Sequence, residues 1–179
     1  MKKTILIYGF LSGLVIAIMM TPTTIFAPQI GFDRGVIIGY TTIILSMSFI
    51  FFGIKSYRDR VGNGSISFGR AFLIGLSIAV ISSACYVIAW LIIYYNFTPD
   101  FMDQYANHII EKMKTAGATQ EAISQKTEEM KKMGEMMHNP FMNAAMTFTE
   151  PFPVGLVIAL ISAFILRRKN PEKSEAVAA

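Results

Sequence analysis

Residues 71–95 read AFLIGLSIAVISSACYVIAWLIIYY, a run without one charged side chain. A hydrocarbon core about 30 Å thick is crossed by about 20 apolar residues in a helix, so this run is long enough to span a membrane. In lipid every backbone N–H and C=O must be paired within the segment, which makes an isolated run of this kind helical. Three further runs have the same character. They cover about 4–21 behind Lys2 and Lys3, about 35–54, and about 141–166, the last stopping at Arg167-Arg168-Lys169. The pattern predicts an all-α polytopic membrane protein with four transmembrane helices.

Composition agrees. Of the 179 residues, 53% are hydrophobic and 16% charged, with mean hydropathy +0.48. Soluble domains average about 45–50% apolar and about 25% charged residues, so much of this surface faces lipid. The length suits a single membrane domain, 1–179. A net charge of +4 and a pI near 9.2 could point to nucleic acid. The basic residues instead sit at the ends of apolar runs, where headgroups and the positive-inside rule place them, and nucleic acid is not expected as a partner. The one cysteine, Cys85, lies mid-span and cannot form an internal disulfide. The first run is longer than the 7–15 residues typical of a signal-peptide core, and Ala27-Pro28 is a poor cleavage context, so a retained span is expected. That span is expected to fray or bend at Pro22, followed by a short polar turn to Arg34.

Orientation follows from Lys and Arg. The N-terminus, the loop 55–70 and the tail hold ten (Lys2, Lys3, Lys55, Arg58, Arg60, Arg70, Arg167, Arg168, Lys169, Lys173). The other side holds Arg34 and five lysines in 96–140, six in all. Both termini are therefore expected in the cytoplasm of a bacterial inner membrane.

The segment 98–138 is expected to form an extracytoplasmic amphipathic helical hairpin between the third and fourth spans. Thr98-Pro99-Asp100 resembles a helix start, and Met102, Tyr105, Ile109 and Met113 follow at helical spacing. Gly117 ends that helix. Thr119 can cap a second, with Ile123, Thr127, Met130, Met133 and Met137 on one face. The apolar stripe must rest on the bilayer, on the bundle or on another chain. Asn139-Pro140 is a helix start for the fourth span, and Pro151 and Pro153 predict a kink near Pro151. A weak internal repeat pairs GFLSGLVIAI at 9–18 with AFLIGLSIAV at 71–80. Apolar runs drawn from few letters match often by chance.

Every span carries small residues four apart: Gly9 and Gly13, Gly35 and Gly39, Gly75 and Ala79, Gly155 and Ala159. In lipid, where hydrophobic drive between helices is small, such residues permit close approach, so they are expected to pack inside the bundle or at a homodimer seam. Glu150 is the one carboxylate near membrane depth. It precedes Leu166 by sixteen residues, about 24 Å of helix. That places it near the outer interface at a kinked helix entrance, though an intramembrane acid can also serve transport. Met130, Met133 and Met137 with His138 offer soft donors suited to Cu(I). Methionine at helical spacing is ordinarily packing, so no metal ligand is assigned. Trp90, Tyr94, Tyr95 and Phe97 at the outer end of the third span, and Tyr57 and Phe68 at the inner loop, read as interfacial belts. Ser67 is expected to cap the third span, and Gly62-Asn63-Gly64 is a turn.

The inner loop and the start of the third span read Lys55, Tyr57, Arg58, Asp59, then Gly64, Ile66, Ser67, Phe68, Gly69, Ala71, Phe72 and Gly75. This resembles an uncharacterised family of bacterial membrane proteins typical of Bacteroidota, the domain of unknown function numbered 4199. The resemblance implies a four-span inner-membrane protein and carries no activity, substrate or catalytic residue. No catalytic constellation or cofactor motif is visible, and no enzyme is expected. The leading expectation is a non-enzymatic scaffold or accessory subunit whose partners are the lipid bilayer and a second copy or another membrane protein. The alternatives are a small transporter or carrier using Glu150 and the kinked fourth helix, and Cu(I) binding by the Met-rich hairpin.

Overall fold

The structure, a computed structural model, describes residues 1–168. Lys169 and Lys173, counted above for topology, lie outside the described residues. Among the described residues there are nine helices: α1 (Lys2–Ile25), α2 (Ala27–Ile30), α3 (Phe32–Met47), α4 (Phe49–Arg60), α5 (Phe68–Asn96), α6 (Phe101–Thr115), α7 (Gln120–His138), α8 (Pro140–Phe148) and α9 (Pro151–Leu166). Four helical segments are long and apolar enough to cross a membrane: α1, α3 with α4, α5, and α8 with α9. The protein is a multi-pass, all-α membrane protein.

The glycines report how the spans pack. A β-carbon built on Gly9 would lie 2.8 Å from Ile81, and one on Gly13 would lie 2.5 Å from Cys85. Both contacts advance by four residues, so α1 and α5 run parallel. A β-carbon on Gly75 would lie 2.9 Å from Ala159, and one on Gly155 would lie 2.8 Å from Ala79. Here the order reverses, so α5 and α9 run antiparallel. The central helix is α5, packed most extensively against α1 and α9. Its seams are close because small residues face small residues, which increases van der Waals contact between backbones. Gly53 makes a similar approach, its absent β-carbon 2.5 Å from Ile78, and the small-residue spacing does not predict it.

Local breaks have identifiable causes. Pro22 lies inside α1. The helix continues to Ile25, and the Thr21 and Thr23 hydroxyls donate to the carbonyls of Ala17 (2.8 Å) and Met19 (2.9 Å) around the proline. The connection to α3 is the short helix α2 rather than a polar turn. In the second span a one-residue irregularity at Ser48 separates α3 from α4, and its hydroxyl donates to Leu45 O (2.6 Å), back-bonding of the kind that bends helices. The fourth span breaks at Thr149-Glu150, just ahead of Pro151. Asn139 Oδ1 accepts from the N–H groups of Phe141 (2.9 Å) and Met142 (3.3 Å) and caps α8. Ser67 occupies the cap position of α5, but its hydroxyl makes no capping bond. At the end of the bundle away from the hairpin, Ile66 and Arg168 exchange backbone hydrogen bonds of 3.0 and 2.9 Å, which ties the loop before α5 to the end of α9.

The segment between α5 and α8 is two helices, α6 and α7, meeting where Gly117 takes φ +74°. Thr119 caps α7 through Ala122 N–H (3.3 Å). Thr98-Pro99-Asp100 forms the approach turn, not the first turn expected, and α6 begins at Phe101. The hairpin's apolar stripe turns inward: Met102 and Met137 join the bundle's core and Ile123 and Met130 are also buried, while Thr127 on the same predicted face is exposed.

Candidate functional site: a cavity beneath the hairpin

The hairpin is held at both ends. At the α6 end, Lys112 Nζ pairs with Asp33 of α3 at 2.8 Å. The Phe32 ring packs against Phe101 and Tyr105, both at 5.7 Å between centroids, and Phe101 meets Trp90 edge to face at 5.3 Å. At the α7 end, Tyr95 O–H donates to Met137 O (2.9 Å). Asn143 of α8, fully buried, joins the same junction. Its Oδ1 accepts from Trp90 Nε1–H (2.9 Å) and the Thr147 hydroxyl (3.1 Å), and its Nδ2 donates to Met137 O (3.1 Å). A buried amide with its groups paired avoids the cost of an unpaired one and fixes its neighbours.

Under this roof lies a cavity of about 490 Å³. It exists because the upper part of α3 stands off α5. Gly35 and Gly39, expected as packing positions, meet nothing within 4 Å and line the cavity instead. For this pair packing inside the bundle is not what is seen: the spacing permits close approach, but among the described residues no helix comes to them. The opposite wall is Tyr86 and Trp90 of α5, and the roof includes Met102, Met130, Met133 and Met137. Below it the bundle is closed by Ile16, Met47, Ile50, Ile54, Ile74 and Ile78, all with 0% exposure.

Glu150 also lines the cavity, placed there by the break between α8 and α9. Tyr86 O–H donates to its Oε2 at 2.7 Å. Glu150 remains exposed even with this bond made. Three belt aromatics are likewise relocated: Trp90 and Tyr94 are buried at the hairpin end of α5, and Tyr57 is buried at the opposite end of the bundle. Tyr95, Phe97 and Phe68 remain exposed. The methionine candidates separate. Met130, Met133 and Met137 face the cavity, whereas His138 is exposed and its Nδ1 lies 2.8 Å from Gly134 O of its own helix. Among the described residues no group of three or more His, Cys, Asp or Glu is gathered for a metal. Sequence reasoning missed Asn143, Tyr86 and Tyr40, which stand singly in apolar runs and carry no spacing signal.

A family model described as Protein of unknown function (DUF4199) matches residues 7–168. The chain belongs to this family. The match spans all four membrane helices and the hairpin, so the cavity and its roof lie within the region that defines DUF4199. No curated protein and no solved structure matches the chain.

Proposed function

We propose that this DUF4199 protein is a non-enzymatic ligand-binding membrane protein, an accessory subunit that holds an apolar or amphiphilic small molecule beneath its hairpin. The observation that carries this reading is the cavity itself. At about 490 Å³ it falls in the range of roughly 300–1,000 Å³ usual for small-molecule sites, and its wall is mostly apolar with a few polar groups. The closed isoleucine-rich layer beneath it favours holding a ligand over conducting one through. The finer placement belongs to the same proposal: a bacterial inner membrane, cytoplasmic termini and an outer hairpin. It is supported by the four basic residues packed into 55–70 against five spread over 96–140.

Native mass spectrometry of the protein released from membranes tests the binding role. A small-molecule adduct should accompany the chain and disappear in Gly39→Leu, whose side chain projects into the cavity. An adduct retained in Gly39→Leu would place binding elsewhere.

A further inference from the structure

The charges on the cavity wall are unbalanced. They are Lys126, Glu129 and Glu150. Lys126 Nζ is paired with Glu129 Oε1 at 2.9 Å, so these two offset each other at the hairpin edge. Glu150 has no such partner: among the described residues no Lys, Arg or His forms an ion pair with it. Its one side-chain hydrogen bond there is from Tyr86, on Oε2, which orients the carboxylate and leaves Oε1 free to meet a guest.

The cavity that this carboxylate lines is rich in aromatic rings. Tyr40, Tyr86, Trp90, Phe32, Phe101 and Tyr105 all line the same cavity. Aromatic faces carry negative quadrupole charge and attract cations, ammonium groups above all, more strongly where water is scarce. Trp90 is held by Asn143 through its Nε1–H, so its ring is fixed before any guest arrives. One carboxylate without an ion-pair partner, in a cavity lined by rings, is complementary to an organic cation and repels an anion.

We propose that the occupant is a lipophilic organic cation, an onium group carried on apolar substituents, bound by Glu150 and the aromatic wall. This rests on the reading of the cavity as a ligand site and adds the sign of the ligand's charge. The apolar substituents fit the methionine roof, whose flexible thioethers adapt to irregular shapes. The cation itself replaces the missing partner of Glu150.

The test uses the full chain in phosphatidylcholine nanodiscs and two ions of nearly the same shape and opposite charge, tetraphenylphosphonium and tetraphenylborate. Trp90 is the only tryptophan and lines the cavity, so its fluorescence reports occupancy. Tetraphenylphosphonium should bind saturably, above the signal of empty nanodiscs, and tetraphenylborate should not. Glu150→Gln should weaken the cation by about tenfold or more, since the opposite charge beside it is lost. N-phenyl-1-naphthylamine, a neutral apolar probe, should bind both forms alike, which also shows that Glu150→Gln is folded. Equal binding of the two ions to the unaltered protein, or cation binding indifferent to Glu150→Gln, would overturn the cation assignment. If the neutral probe still binds and is lost in Gly39→Leu, the cavity reading stands without it. If neither the cation nor the neutral probe binds, both proposals fall.

Discussion

Replacing Gly75 by leucine forces a side chain into a seam where even a β-carbon would lie 2.9 Å from Ala159 and 3.0 Å from Ile54. Overpacking of this kind costs about 1–3 kcal/mol, so Gly75→Leu should lower the thermal midpoint in detergent clearly. Gly39→Leu meets open space and should leave that midpoint nearly unchanged. Equal losses in the two variants would mean that α3 closes on the bundle. The two glycines look identical in sequence, because small-residue spacing says that a helix can approach and not that one does. Asn143 shows the converse. A lone asparagine in PFMNAAMTF gives no signal, yet it joins α5, α7 and α8. Asn143→Leu should destabilise by about 1–3 kcal/mol, because Trp90 Nε1–H loses its buried partner. A red shift in the emission of Trp90 would accompany the loss if the ring is freed, and an unshifted spectrum with full stability would refute the junction.

For the hairpin, apolar contact outweighs charge. The Asp33–Lys112 pair is short, but both side chains are more than half exposed, and exposed pairs contribute about 0–1 kcal/mol. Lys112→Ala should therefore change stability little. Met130, Met133 and Met137 should each accept leucine at a cost under about 1.5 kcal/mol, whereas serine at all three should loosen α7 and speed its amide hydrogen exchange. Slow exchange in the triple serine variant would show that the stripe does not hold the hairpin. The two helices, Gly117 and the Thr119 cap could be read from the chain, since each rests on local spacing and backbone chemistry. Where the stripe rests could not. Asp33 and Lys112 are 79 positions apart, and an apolar face is the same whether it meets lipid, a partner or its own bundle. For that reason Trp90 and Tyr94 read as interfacial belt residues, and only the folded hairpin shows them covered.

Across the whole molecule, four charge-poor runs bounded by basic residues are enough to give a four-span all-α protein, because lipid leaves a chain few alternatives. The same asymmetry of charge predicts that a reporter fused after Asn63 reads cytoplasmic and one after Gly117 reads external, and the reverse pair would invert the proposed orientation. The cavity has no counterpart in the sequence, since it arises from how far α3 leans from α5 and what covers the gap. Its standing as a binding site is the central claim, and energy transfer from Trp90 to N-phenyl-1-naphthylamine measures it directly. One saturable component of transfer is expected in nanodiscs, abolished by Gly39→Leu and preserved in Gly39→Ala. Saturable transfer of equal strength in Gly39→Leu, with the variant still folded, would contradict it.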